Sequence, residues 1–188
     1  MILAVEPLEV NRYLPYLAEG GRVLSSSEPV MNIPNYPALE AVHDHLFGLP
    51  GALMFDAKAV AVVAGNPRAQ NMVLTGAASV FIPFFTPEEM EAPIHALFAK
   101  KGEKLLALNL RAFRMGRELG LLSQGLGERG LGTKAIYALT SRLQPETVSA
   151  SHAAGWAEAL GAAGAGERLA ALEAPIPSGP AGYPTLLG

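Results

Sequence analysis

The first 27 residues constrain the fold most. Residues 2–5 (ILAV) form a short apolar run that stops at Glu6-Pro7. Pro7 suits the first turn of a helix carrying Leu8, Tyr13, Leu14 and Leu17, and Gly20-Gly21 ends that helix. Arg22–Ser27 (RVLSSS) then reads as a strand. Two strands separated by one helix pair side by side only through a crossover, which makes them parallel. The chain is therefore expected to be an α/β protein.

Further along, Glu28–Pro37 holds three prolines and two asparagines and reads as a surface excursion. A helix over 38–47 ends at Gly48, Ala52–Phe55 reads as a third strand, and Asp56 is placed to cap a helix over 57–64. Gly65-Asn66-Pro67 breaks that helix. An apolar helix over 68–81 follows, with Asn71, Thr75 and Ser79 on one stripe. Nearly all its faces are expected to be buried, so its polar stripe should find protein partners. Thr86-Pro87-Glu88-Glu89 starts the next helix, running to Lys100. Glu103–Leu119 gives another, and Gly116 inside it implies close approach of a second backbone, because glycine there costs about 1 kcal/mol against alanine. Residues 121–132 carry four glycines and read as a linker. A modest helix over 134–143, a loose Ala/Gly-rich helix over 153–172 and an extended tail complete the chain. We expect one unit over 1–120 and a linker, helices and tail over 121–188, with residues 149–188 docking on a partner.

Composition removes several functions. The chain has no cysteine, so it offers no thiolate for an iron–sulfur cluster or zinc and no disulfide. Lys+Arg number 14 against 17 Asp+Glu, and no cationic run exceeds Lys100-Lys101, which argues against nucleic acid as a partner. Mean hydropathy is +0.26. The most apolar stretch, 71–85, is nevertheless interrupted by Thr75, Gly76, Ser79 and Pro83 and falls short of the roughly 20 residues that cross a bilayer, so no membrane partner is expected. MILAVEPLEV lacks a basic start, no secretory signal is expected, and the cytoplasm is the expected compartment.

Few residues invite chemistry. His43-Asp44-His45 resembles a metal pair, but i and i+2 on a helix diverge by about 200°, and no metal site is expected. His95 and His152 are isolated, and no catalytic residue is assigned. Glu6, with Glu9 near it, stands where a strand meets a helix, the edge at which open α/β sheets take ligands. Asn66, Arg68 and Asn71 surround a helix start that could receive an anion. Glu6, Asn66, Arg68 and Asn71 are thus the ligand-binding candidates, against the plainer readings that Glu6 is a first-turn acid matching the helix dipole and that Asn66, Arg68 and Asn71 cap and cross-link. Asn71 and Asn109 could bond each other or nearby backbone. Ser25–Ser27 lacks the flanking pattern of a nucleotide phosphate loop, and no thiamine diphosphate motif of the G-D-G…N-N type occurs.

LAVEPLEVNRYLPYL, the Gly-Gly turn before VLSSSEPV, NYP before a helix, AGNPRAQNMVLTGAAS and NLRAFRMGRELG, in that order over residues 1–120, resemble the gamma-type domain of the 2-oxoacid:acceptor oxidoreductases, most nearly that of the indolepyruvate type. The resemblance implies a three-layer α/β/α unit with a mostly parallel sheet and a helical C-terminal appendage. It further implies a subunit of an enzyme that oxidatively decarboxylates indolepyruvate or a related aryl-pyruvate to an acyl-coenzyme A. Thiamine diphosphate and iron–sulfur clusters are then expected in a larger partner subunit, with none in this chain, and ferredoxin or a similar acceptor takes the electrons. The family domain usually opens on a strand and a G-x-G-G-Q-G turn. This sequence has neither, so no ligand role of that turn carries over. A free-standing α/β module binding a small anion near Glu6, Ser27 and Asp56 is the alternative expectation.

Overall fold

The computed structural model describes residues 1–161, 165–171 and 176. Three strands, β1 (Ile2–Ala4), β2 (Val23–Ser26) and β3 (Ala52–Phe55), form one parallel sheet in the order β1-β2-β3. The register pairs Ile2 with Val23 and Leu24 with Leu53. α1 (Pro7–Tyr13) and α2 (Leu39–Phe47) make the two crossovers. Side-chain alternation then divides the sheet into two apolar faces. Ile2, Ala4, Val23 and Met54 face α1 and α2, meeting Val10 and Leu46. Leu24, Leu53 and Phe55 face the opposite layer, built from α3 (Ala57–Val63), α4 (Gln70–Ser79) and α6 (Glu103–Glu128). The α/β class and the three-layer arrangement expected above are what the structure has.

α5 (Pro87–Phe98) begins with a capping box. The Thr86 hydroxyl accepts from the Glu89 N–H at 3.2 Å, and the Glu89 carboxylate accepts from the Thr86 N–H at 2.8 Å. Arg114 of α6 ties α5 down with two parallel 2.7 Å bonds to Glu91.

α4 and α6 cross with their backbones in contact. A Cβ built on Gly76 would lie 1.9 Å from the Phe113 carbonyl oxygen, one on Gly116 2.0 Å from that of Val73, and one on Gly120 2.8 Å from that of Ala77. The approach expected at Gly116 is real, and its partner is the α4 backbone.

The reading of 121–132 as a linker is overturned. α6 runs unbroken to Glu128 because Leu119, Leu122 and Leu126 continue its buried stripe, which outweighs the propensity lost at Gly120, Gly125 and Gly127. Gly120 and Gly125 are also needed for packing, the latter against the Ala153 methyl.

α7 (Thr133–Thr140) packs beside β3. Its Tyr137 joins the apolar face under α1 and α2, while Ile136 and Leu139 join the opposite one, so α7 straddles the β3 edge. The C-terminal helix expected over 153–172 is interrupted at Gly161, giving α8 (Ala153–Leu160) and α9 (Ala165–Ala170). It is not loosely attached, since Trp156 is fully buried against α6. The expected extended tail lies outside the described residues except Ile176, which bridges Leu143.

The other edge of the sheet is bare. The Ile2 N–H donates to the Arg22 carbonyl, so the backbone groups of Leu3 point away from β2, and among the described residues no strand meets them. The Leu3 side chain is 43% exposed, with Met1 and Val5 exposed beside it.

Candidate functional site

In a parallel sheet the carboxyl ends of the strands are where ligands are received. Here they carry Glu6, Ser27 and Asp56. Two of the three serve as helix caps. Glu6 is 7% exposed, and its carboxylate accepts from the Leu8 N–H at 3.2 Å and the Glu9 N–H at 2.9 Å. The Tyr36 hydroxyl closes the arrangement by donating to Glu6 Oε1. Burial first, and the Glu6 hydrogen bond and charge second, raise the Tyr36 phenol above its ordinary pKa and keep it a neutral donor. Asp56 Oδ1 accepts from the Ala59 N–H at 2.7 Å and caps α3.

Between them lies the serine run. Ser25, Ser26 and Ser27 are all buried. The Ser25 hydroxyl donates to the Ser26 carbonyl, whereas the Ser26 hydroxyl has no partner among the described residues. The Ser27 carbonyl bonds His43 Nε2 at 2.9 Å. Tyr137 reaches the same place from α7. Its phenol is raised chiefly by burial, opposed by a hydrogen bond with Ser27 and by Arg142, and pushed further up by Glu28 and Asp56. His43 stacks edge-on to Tyr137 with 5.7 Å between centroids. His45 is exposed on another side of α2, the divergence expected of an i, i+2 pair.

The other candidates sit apart from this edge. Asn66 Oδ1 accepts from the Arg68 N–H at 3.1 Å and caps the short turn before α4, and Arg68 and Asn71 are exposed at that same turn. Asn66, Arg68 and Asn71 are therefore neighbours, and Glu6 belongs to a different junction. Asn71 is the one exposed residue of α4, which is otherwise buried or half-buried on all faces as expected. Thr75 donates to the Asn71 carbonyl at 2.7 Å, and Ser79 donates to that of Gly76 at 2.6 Å while accepting from Arg117 at 3.1 Å. Asn109 donates to the Leu105 carbonyl at 2.8 Å, so the two amides serve separate helices.

A cavity of about 410 Å³ opens beside Phe55 and Asp56, bounded also by Thr140, Gln144 and Glu146. With carboxylates from Asp56 and Glu146, it does not suit a small anion. Tyr36, Tyr137 and Arg117 had escaped the sequence reading. Only Tyr137 carries a usable signal, an aromatic three residues before Thr140 on one side of a short apolar helix. No group of three His, Asp or Glu side chains comes together as a metal site among the described residues. Nor is any described helix long and apolar enough to cross a membrane.

A parallel sheet between two helix layers, with its strand-end acids used as helix caps, defines an α/β domain of three layers. Residues 1–119 match the family described as pyruvate ferredoxin/flavodoxin oxidoreductase, and the chain belongs to that family. It is 34% identical over 126 residues to the indolepyruvate oxidoreductase subunit IorB of Thermococcus kodakarensis, covering 62% of this chain and 60% of that one. The subunit of the same name from Methanothermobacter thermautotrophicus is 34% identical over 123 residues, covering 62% of each. The Pyrococcus horikoshii one is 32% identical over 126 residues, covering 62% of this chain and 60% of that one. The match thus spans about 60% of the length of these relatives. No solved structure matches.

Proposed function

We propose that this chain is a subunit of a 2-oxoacid:acceptor oxidoreductase of the indolepyruvate type, supporting a larger subunit that holds thiamine diphosphate and iron–sulfur clusters. The observation that carries the reading is the family match over the whole sheet and the α4–α6 layer. The bare β1 edge agrees with it, since an apolar, unpaired strand edge on a soluble protein invites a partner.

The donor set here does not fit an iron–sulfur cluster. Without cysteine there is no thiolate for a cluster, and the described acids and histidines form no metal site. The chain's own residues therefore bind and orient the partner, while oxidation of an aryl-pyruvate to an acyl-coenzyme A and delivery of electrons to ferredoxin occur on the other subunit.

The test is affinity purification of the tagged chain from its native cell, with absorption spectra and mass spectrometry of what comes with it. A brown complex containing a larger cysteine-bearing subunit, and oxidising indolepyruvate with a ferredoxin-type acceptor, is the expected result. A colourless, stable monomer with no stoichiometric partner would overturn the reading.

A further inference from the structure

We propose that residues 29–37 form a strap that the Tyr36 hydroxyl latches over the Glu6 carboxylate at the carboxyl end of β1, and that this strap opens while the rest of the chain stays folded. The segment leaves the sheet after β2 and rejoins the body at α2. Both of its ends are fixed. At the start, the Ser27 N–H donates to the Phe55 carbonyl at 2.9 Å and the Ser27 carbonyl bonds His43 Nε2. At the end, the Ala41 and Val42 N–H groups donate to the Ala38 carbonyl as α2 begins.

Between those ends little holds the segment. Its own described backbone bond is internal, from the Asn32 N–H to the Val30 carbonyl at 2.7 Å. Burial does not hold it either, since Val30, Met31 and Ile33 are all exposed, Met31 by 71%. Every described hydrogen bond joining 29–37 to the rest of the chain runs through the Tyr36 hydroxyl. Local opening is drawn from segments held in this way.

The link is nevertheless built to close. Glu6 Oε1, which takes the Tyr36 proton donor, also accepts from the Leu8 N–H, and Oε2 accepts from the Glu9 N–H. The carboxylate is therefore oriented by α1 before Tyr36 reaches it, and a hydrogen bond to a charged acceptor is stronger than a neutral one. Pro29, Pro34 and Pro37 fix φ at three of the nine positions, so the released strap gains less freedom than an ordinary loop of its length. Release uncovers a carboxylate that is buried when the latch is closed. The strap thus gates access to this end of β1.

The test is thermolysin cleavage of the full chain, with mass spectrometry following cuts beside Val30, Met31 and Ile33. Tyr36→Phe removes the latch oxygen and leaves Glu6 capping α1. It should speed cleavage within 29–37 at least fivefold, by an amount that low urea does not change, because local opening exposes little surface. Glu6→Gln keeps an acceptor without the charge and should speed the same cuts at least twofold, which decides the matter if Tyr36→Phe does not fold. A smaller rise in either variant, or one that grows with urea as global unfolding does, would overturn the proposal.

Discussion

Replacing Gly76 or Gly116 by alanine should destabilise the protein, although alanine is the better helix former at both positions. The new methyl at 76 would sit 1.9 Å from the Phe113 carbonyl oxygen, and the one at 116 would sit 2.0 Å from that of Val73. A carbon and a carbonyl oxygen approach comfortably to about 3.3 Å, so the helices would have to separate by roughly 1.4 Å. The obstacle is helical backbone, which has no rotamer to change. The strain therefore falls toward the upper end of the 1–3 kcal/mol usual for overpacking, with lost dispersion around the fully buried Val73 and Phe113 added to it. Against this stands about 1 kcal/mol of helix propensity. The net loss should be about 2–3 kcal/mol for each single variant, or roughly 5–10 °C in Tm for a chain of this size. The double variant should cost much less than the sum, because one separation of the helices relieves both clashes. Gly127→Ala is the control. Its methyl would meet only Ile136 Cδ1 at 3.9 Å, an ordinary contact, and it should be neutral or stabilising by up to about 1 kcal/mol. Urea unfolding followed by circular dichroism measures all four. If Gly76→Ala and Gly116→Ala behave like Gly127→Ala, or if their effects add, the backbone contact is not what holds this seam.

Three further outcomes follow from the caps and pairs. Glu6→Ala should lower stability by about 1–2 kcal/mol in the same urea assay, because the Leu8 and Glu9 N–H groups lose their acceptor; Glu6→Gln should lose less, since its amide oxygen still accepts. The Tyr36 and Tyr137 phenols are both raised, and absorbance at 295 nm should show them ionising after exposed tyrosines. An unfolded phenol ionises near pH 10, so the stability they contribute is full below that pH and is lost as pH rises above it. Tyr36→Phe should therefore flatten the fall in urea midpoint between about pH 9 and 11. Arg114 lowers the Glu91 carboxyl, mainly through their hydrogen bonds. Stability from this pair is present above the ordinary carboxylate range and disappears as pH falls through the lowered value. Arg114→Ala should cost about 1 kcal/mol at pH 7 and nothing in acid where Glu91 is protonated.

The sheet and its first layer were legible because local signals agreed there. Apolar runs ended at Glu6-Pro7 and Asp56, the Gly20-Gly21 pair stood between α1 and β2, and Asp56 found the cap position its spacing implied. Legibility failed beyond Gly120, where composition and packing conflict. Gly120, Gly125 and Gly127 look like a flexible segment in one dimension. In three dimensions the first two are positions where α6 has no space for a side chain, beside Ala77 and Ala153. Asn71, Thr75 and Ser79 share a stripe as their spacing implied, running from exposed Asn71 at the start of α4 to buried Ser79; Thr75 donates within its own helix, and Ser79 bonds both its own helix and Arg117 of α6. Of the site candidates, Glu6 and Asn66 could be recognised as capping residues from the sequence. The partners that reveal their surroundings, Tyr36 above all, are about 30 residues away, and no local pattern links them.

The two edges of the sheet decide where a partner can act. Strand-end chemistry is disfavoured for an anion, because Glu6, Glu28 and Asp56 all gather there and two of them have their oxygens committed to helix N-termini. At β3 the sheet is flanked by α7, which contributes to both apolar faces. At β1 the outward backbone of Leu3 and the exposed side chains of Met1, Leu3 and Val5 remain on offer, on the face that α4 and α6 cover at β2 and β3. Exposed apolar side chains beside open backbone groups are what the described residues leave at this edge, which agrees with the proposed place of the chain as a subunit.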